Sequence, residues 1–417
     1  MKMMPRLPCR RWTLSPLLGA ALVAVLTTCG KPTPSAGIRD EPDIRIGLLV
    51  SVGEARISGR GTVGGVVDGS VAFRIPGGQE VRLVPDGRAV RVSGPGAGRY
   101  ERVTFVSLDR SRFVEVDGQP YRGVVEVFAH EGALNVVNEL SLEGYLAGVV
   151  NAELGRRAPN EQAAVEAQAI VARTYALKNR GRFASEGYDL RATVTDQAYG
   201  GVAVESERGW DGVRSTSGTV VTYRGELINT FFHSTCGYST ASPDEVFRFG
   251  QRLPYLRPIS DQRTGGHYCD ISPNFRWTVE WDAETLARIL RRTVPSQLGL
   301  ERVTVDEVRD VRVQRTGPSG RVAEVRIVVS RGEIPVFGPD IRAVFSTPDG
   351  RSLGSTAFQI AVERRGGRVE RVTATGAGWG HGVGMCQWGA VGRARAGQDA
   401  RTIVTTYFPG TTLERWY

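Results

Sequence analysis

Most of this chain is written in short alternating runs broken by glycine, proline and aspartate. One stretch, Ser141 to Lys178, is written differently: SLEGYLAGVVNAELGRRAPNEQAAVEAQAIVARTYALK. Ser141 is a side-chain N-cap type, and Leu142, Leu146, Val149 and Val150 follow at helical spacing. Arg156 to Asn160 break the periodicity, Asn160 offers a cap for a second helix, and that helix is rich in alanine: Ala163, Ala164, Ala167, Ala169, Ala172 and Ala176. Small side chains let two helices approach closely. A helical pair inside a strand-rich chain predicts a mixed α+β fold.

The apolar stripe of the first helix carries an anomaly. Its next position is Glu153, a carboxyl where a core residue belongs. Desolvation raises a carboxyl's pKa and keeps it protonated near neutral pH, as a general acid requires. The plainer reading is a half-solvated helix-end Glu paired with Arg156 or Arg157. Arg173 lies on the second helix, on the side of Ala169, Ile170 and Leu177.

The N-terminus reads as an export signal. Lys2, Arg6, Arg10 and Arg11 form a basic region, and Leu14 to Leu26 is apolar but too short to span a membrane well. Leu26-Thr-Thr-Cys29 resembles a bacterial lipobox, with Cys29 as the residue lipidated after cleavage. The expected organisation is a lipoprotein signal peptide over 1–29, a polar tether over 30–42, an N-terminal β-rich module over 43–135, and a catalytic core over 136–417. The expected location is the cell envelope, with the protein exported and membrane-anchored through the lipid.

Net charge is +9, spread along the chain without a basic block interleaved with aromatics, so nucleic acid is not an expected partner. A diffuse positive field suits an anionic envelope polymer.

Of five cysteines, Cys9 leaves with the signal and Cys29 is the lipid site, which leaves Cys236, Cys269 and Cys386. Outside the cytoplasm, Cys236 and Cys269 can form a disulfide; closing that loop would be worth about 3–4 kcal/mol. His233-x-x-Cys236 and His267-x-Cys269 can instead bind a structural zinc, and free thiols are the third alternative. No cofactor is required in any of these readings.

The run Gly376 to Ala390 contains Gly378, Gly380, Gly382, Gly384 and Gly389, too many glycines for a stable helix there. It presents Trp379 and Trp388, which can stack on sugar faces, together with His381 and Gln387. Such a loop is expected to fold back beside Glu153, since a lone carboxyl cannot hold a polymer at reacting distance. Asp196 to Gly201 and His233 to Gly237 are the other expected cleft walls. A Cys/His hydrolase using Cys386 and His381 is disfavoured by their separation on one glycine-rich strand.

Read in order, SLEGYLAGVVNAE, EAQAIVARTYAL, TDQAYGG, FFHSTCGYST, PYL, GPDIR and GWGHGVGMCQWGA resemble the motifs of the SpoIID/LytB family, from about Ile44 to Leu413. The resemblance implies a bacterial cell-wall protein whose sporulation members are lytic transglycosylases, cutting peptidoglycan glycan strands already stripped of stem peptides. An amidase enhancer also belongs to the family, so a non-catalytic glycan-binding module that stimulates a partner amidase is the alternative. The family's catalytic glutamate falls on Glu153 and its helical arginine on Arg173. The site expected from the residues and the resemblance together adds Gln168, Gln197, Tyr199, Ser234, Trp379, His381 and Gln387 as substrate-binding residues. The chain departs from the family pattern at Leu154-Gly155, where Met-Pro is common, at Cys386, where Ser is common, and at Tyr238, where Gly is common.

Overall fold

The computed structural model of the chain describes residues 40–417, apart from 249 and 301–304. The expected signal peptide, Cys29 and all but the last residues of the tether lie outside the described residues. The fold is α+β, as the sequence texture predicts, and among the described residues it is built around three large hydrophobic cores of different make-up.

The first core lies between two antiparallel-rich sheets. One has seven strands in the order Leu190–Arg191, Asp43–Val52, Ala133–Ser141, Val124–His130, Arg102–Ser107, Val63–Val67, Ser70–Ile75; the other has six, drawn from Ala55–Tyr121. Val103, Phe105, Val125, Val127, Leu134 and Val136 of the first sheet meet Ile57, Val81, Leu83, Val90 and Val92 of the second. Alternation along each strand puts one face inward, as the period of two requires. A tight hairpin joins two strands of the first sheet: Glu131 (φ 50°) and Gly132 (φ 82°) make a two-residue turn joining Val124–His130 to Ala133–Ser141.

The strand Ala133–Ser141 runs across the expected module boundary at 135/136. Leu134 and Val136 belong to the two-sheet core, whereas Leu140 belongs to the helical one. One strand serves both bodies, and alternation alone gives no sign of the change of partner.

At Ser141 the strand turns directly into helix α1 (Leu142–Leu154), with the Ser141 hydroxyl accepting from Gly144 N–H at 3.3 Å. Helix α2 (Gln162–Lys178) packs beside it in the second core. Asn160 does not cap α2. The turn before it is a short 3-10 segment, Pro159–Glu161, whose Glu161 carboxylate accepts from Ala158 N–H at 2.8 Å. Ala164, Ala167, Ala169, Ala172 and Ala176 are all buried, which is the close approach that small residues permit. α1 is also buried on nearly every side, not along a stripe, until Ala152 and Glu153 near its end. Gly148 shows how tight the fit is: a Cβ there would meet the Tyr199 ring at 2.5 Å.

Within the span 136–417 a third hydrophobic body forms. The strand Arg276–Asp282, the helix Ala283–Leu298 capped by Asp282, and the strands from Val308 to Ala377 close around Trp281, Leu286, Leu290, Val325, Ile327, Phe345 and Val372. This body leaves the helical core just after Asn274 and returns to it just before Trp379. Trp277 fastens the junction, its indole N–H donating to the Gly378 carbonyl at 3.0 Å.

Candidate active site

Where the helical core opens there is a cleft of about 520 Å³, and Glu153 lines it. Glu153 stands in the last turn of α1, which ends at Gly155 (φ 70°) with its N–H on Asn151 O. The carbonyl end of a helix is the end that disfavours negative charge. Burial pushes the Glu153 carboxyl up; a 2.6 Å bond from Ala198 N–H to Oε1 and a bond from the Gln387 side chain offset this in part. No Lys or Arg among the described residues pairs with it. Arg157 instead sits over the Trp388 ring, 4.9 Å from its centroid, with its Nε 3.9 Å from Glu161, and Arg156 is exposed.

A second carboxylate, Asp196, lines the same cleft but is fully engaged. Its Oδ1 accepts from Tyr175 at 3.1 Å and from Arg182 at 2.9 Å, and its Oδ2 accepts from Arg191 N–H at 2.9 Å. Glu153 is therefore the carboxyl in the cleft that is free of an ionic partner.

The glycine-rich loop folds back onto this cleft. Met385–Cys386 pairs in parallel with Phe232–His233, and Trp379 exchanges both backbone bonds with Thr235, at 2.7 and 3.0 Å. The ladder requires bare backbone: at Gly384 (φ 74°) a Cβ would lie 2.0 Å from the Phe231 carbonyl. Trp379, His381, Gln387 and Trp388 all line the cleft, with Ser234 and Phe232 facing them from the neighbouring segment.

Residues 130–223, which carry Glu153, α2 and the Asp196 segment, match the Stage II sporulation protein (SpoIID) family. The chain is 30% identical over 342 residues to an uncharacterised protein of Brachyspira hyodysenteriae, covering 80% of this chain and 82% of that one. The chain belongs to the SpoIID/LytB family. It is 26% identical over 350 residues to the amidase enhancer of Bacillus subtilis, covering 76% of this chain but 47% of that protein. It is likewise 26% identical over 305 residues to the stage II sporulation protein D of Bacillus subtilis, covering 69% and 79%. A domain of unknown function matches residues 261–384, a span that contains the whole third body. A SpoIID/LytB chain has a cell-wall-related role, and no helix among the described residues is long and apolar enough to cross a membrane.

The expected site residues of this SpoIID/LytB chain divide into those that reach the cleft and those beneath it. Arg173 is a correction. It is wholly buried and forms a two-pronged pair with Glu143 (2.8 and 2.6 Å), with further bonds to the Thr219 and Val213 carbonyls. It does not line the cleft, and it steadies a different carboxylate from Glu153. Gln197 and Tyr199 are also corrected from binding to framework. Gln197 is buried, accepting from Tyr145 OH at 3.1 Å, and Tyr199 OH donates to Asn138 at 2.9 Å. Gln168 is buried behind the cleft wall, its Oε1 3.5 Å from Gln387 Nε2. It contacts Gln387 and does not line the cleft.

His381 reaches the cleft, but both of its nitrogens are occupied: Nε2 lies 2.8 Å from the Phe232 carbonyl and Nδ1 accepts from Val383 N–H. Burial beside His233 brings its pKa down to about 3, so it is neutral and presents only a ring edge. The cleft also contains Arg157, Tyr175, Phe231, Phe247 and Asn274, which sequence reasoning missed. Phe247 and Asn274 come from the irregular stretch 241–275, which has no periodicity to read; Arg157 enters the sequence reading only as one alternative partner of Glu153.

The expected zinc ligands His233 and His267 are corrected as well. His233 Nδ1 bonds the Val383 carbonyl at 3.2 Å, and His267 packs against Phe275. Among the described residues, the group able to hold a metal is Cys236, Cys269, Cys386 and Asp261. Cys236 and Cys269 are close, as their spacing predicts, but stand as free thiols 3.5 Å apart, without the expected disulfide bond.

Proposed function

We propose that this protein is a peptidoglycan lytic transglycosylase in which Glu153 is the single acid and base. The observation that carries the reading is the state of Glu153: a desolvated carboxyl with a raised pKa and no cationic partner, in a cleft whose other carboxylate is committed to Arg182. Ordinary glycosidases need two working carboxyls, one to activate water or act as nucleophile. A reaction that uses the substrate's own hydroxyl needs one.

In the proposed reaction the Glu153 proton passes to the glycosidic oxygen as the bond from that oxygen to the muramoyl C1 breaks. The 6-hydroxyl of the same sugar attacks C1, and its proton returns to the Glu153 carboxylate. The products are a new 4-hydroxyl end and a 1,6-anhydro-muramic end, with no water consumed and the acid restored. Trp379 supplies a stacking face, Ser234 and Asn274 supply hydrogen-bonding groups, and Arg157, seated over the Trp388 ring in the cleft lining, suits an acidic substituent. The expected substrate is a glycan strand denuded of stem peptides.

A second reading, a glycan-binding module that enhances a partner amidase, is favoured by the likeness to the amidase enhancer. Mass spectrometry of denuded glycan after incubation with the purified protein separates the possibilities. Anhydro ends support the transglycosylase, reducing ends replace it with a hydrolase, and uncut strands retained on the protein favour the binding module. Envelope location through a lipid on Cys29 belongs to the same proposal: Cys29→Ser is expected to move the protein from the membrane fraction to the soluble one.

A further inference from the structure

Behind the cleft, four chain segments bring four ligand-type side chains to one point. Cys236 follows the strand that carries His233, Asp261 and Cys269 flank a small hairpin, and Cys386 is the N-cap of the helix Gln387–Arg395. Their ligand atoms all lie within 4.8 Å of one another, and all four residues are buried. Two sulfurs held about 2.3 Å from a tetrahedral zinc would stand about 3.8 Å apart; Cys236 and Cys269 stand at 3.5 Å.

The surroundings are arranged for negative charge. The Cys386 sulfur accepts from the backbone N–H groups of Cys236 and Gly389, each at 3.2 Å. Asp261 uses Oδ1 for Tyr407 (2.7 Å) and Arg393 (3.2 Å), while Oδ2 is buried without a partner. Arg321 is a buried guanidinium with no carboxylate partner among the described residues. Its Nη2 bonds the Cys236 carbonyl at 2.9 Å, and its Nε and Nη1 have no partner. A buried cation of this kind needs an anionic neighbour. Three thiolates and a carboxylate exceed the charge of a divalent ion by two, and Arg321 and Arg393 balance that excess.

We propose that Cys236, Cys269, Cys386 and Asp261 hold one structural zinc ion. Three thiolates favour a borderline-soft metal over magnesium or calcium, and four protein ligands make a closed, non-catalytic site. Each thiol gives up its proton to solvent as the metal enters, with no change of oxidation state. The ion would clamp the cleft's far wall: Cys236 is two residues from Ser234, and Cys386 adjoins Gln387.

The test is the metal content of the purified full chain, with the parent and Cys386→Ser compared by elemental mass spectrometry and by cobalt exchange. Serine can keep the side-chain cap that Cys386 gives the helix Gln387–Arg395, so the variant is expected to keep the parent's circular dichroism. The parent should hold one zinc per chain and, with cobalt, give intense thiolate absorption. Cys386→Ser should lose part of that absorption and more than about a hundredfold in zinc affinity, beyond the roughly 10–100-fold lost on disturbing an outer-shell partner. Asp261→Asn, which leaves the thiols intact, should also weaken zinc and so tests the cluster if the serine variant does not fold. The proposal is overturned by a parent that purifies metal-free with a Cys236–Cys269 disulfide in its peptide map. It is equally overturned if the folded variants bind zinc as tightly as the parent.

Discussion

Helix α1 carries two carboxyl groups shielded from water, Glu143 buried in its first turn and Glu153 half-buried in its last, and they have opposite fates. Burial alone would push both up. At Glu143 the Arg173 guanidinium, the Tyr417 hydroxyl (2.5 Å) and the Gly218 N–H (3.1 Å) override burial and hold the carboxyl below its usual range. At Glu153 a single backbone N–H and one amide only soften the effect of burial, and the group stays raised. Position on the helix contributes in the same sense: the N-terminal turn favours a carboxylate and the C-terminal turn does not. Burial does not assign a role to a carboxyl; the donors that come with it do. Glu143 is an anchor for α2, and Glu153 is the group to which the proposed chemistry is assigned.

The sharpest way to break this contrast is to neutralise each carboxyl's own partner or charge. Glu153→Gln should lower kcat on denuded glycan by about 10²–10⁴-fold, the usual worth of a general acid, with the fold and strand binding retained. A variant that cleaves at the parent rate removes Glu153 from the mechanism. At the other end, Arg173→Met leaves Glu143 buried with its countercharge gone. Loss of one partner of a buried pair costs about 3–5 kcal/mol, so chemical denaturation should show a large fall in stability. Activity per folded molecule should change little, since Arg173 does not reach the cleft. A variant of normal stability and no activity would return Arg173 to the site.

pH separates the same two groups in solution. For Glu153 the folded pKa is raised, so its contribution to stability is fully present below the unfolded pKa and is lost as pH rises through the folded one. Activity should fall over the same rise, because the acid form is spent. For Glu143 the folded pKa is lowered, so its contribution is present above the unfolded pKa and is lost as pH falls through the folded value. With one working carboxyl, kcat against pH should show a single descending limb; a bell would reveal a second titrating group. Glu153→Gln should remove the alkaline part of the stability loss and leave the acid part, which belongs in part to Glu143.

Much of this arrangement was legible from residues. Ser141 and the run after it announced α1, alanine announced the close packing of α2, and the glycine density of Gly376–Ala390 announced a loop that folds back beside Glu153. The third body was not legible, because its strands have the same texture as the rest and a core is a property of closure, not of local pattern. Nor was the division of the polar residues. Gln197, Tyr199 and Arg173 lie within motifs that also supply the cleft, yet their side chains point into the fold, where bonds to Tyr145, Asn138 and Glu143 use them up. Which partner a polar side chain finds across many residues of sequence is set by the tertiary fold. The fourth metal-competent residue, Asp261, was hidden for the same reason: it stands far from any Cys-x-Cys spacing and meets the thiols only in space.

The smallest expected effect is also the most specific to the cleft. Gln387 stands between Glu153 and the buried Gln168, giving a hydrogen bond to the former and, at 3.5 Å, to the latter. An amide has two N–H donors and can serve both. Its bond favours the charged form of Glu153, so Gln387→Leu should raise the Glu153 pKa further and move the descending limb of the kcat profile to higher pH. The plateau below that limb should change by less than about tenfold, because one ordinary hydrogen bond is worth about 1 kcal/mol. Gln168 Nε2 already lacks a partner, so the variant would also leave Gln168 Oε1 bare, and a modest loss of stability should accompany the shift. The pH shift is what a packing defect would not produce. If the limb stays where it is while stability falls, Gln387 only fills the wall; if it moves, the amide tunes the acid, and the low number of donors at Glu153 is what separates it from Glu143.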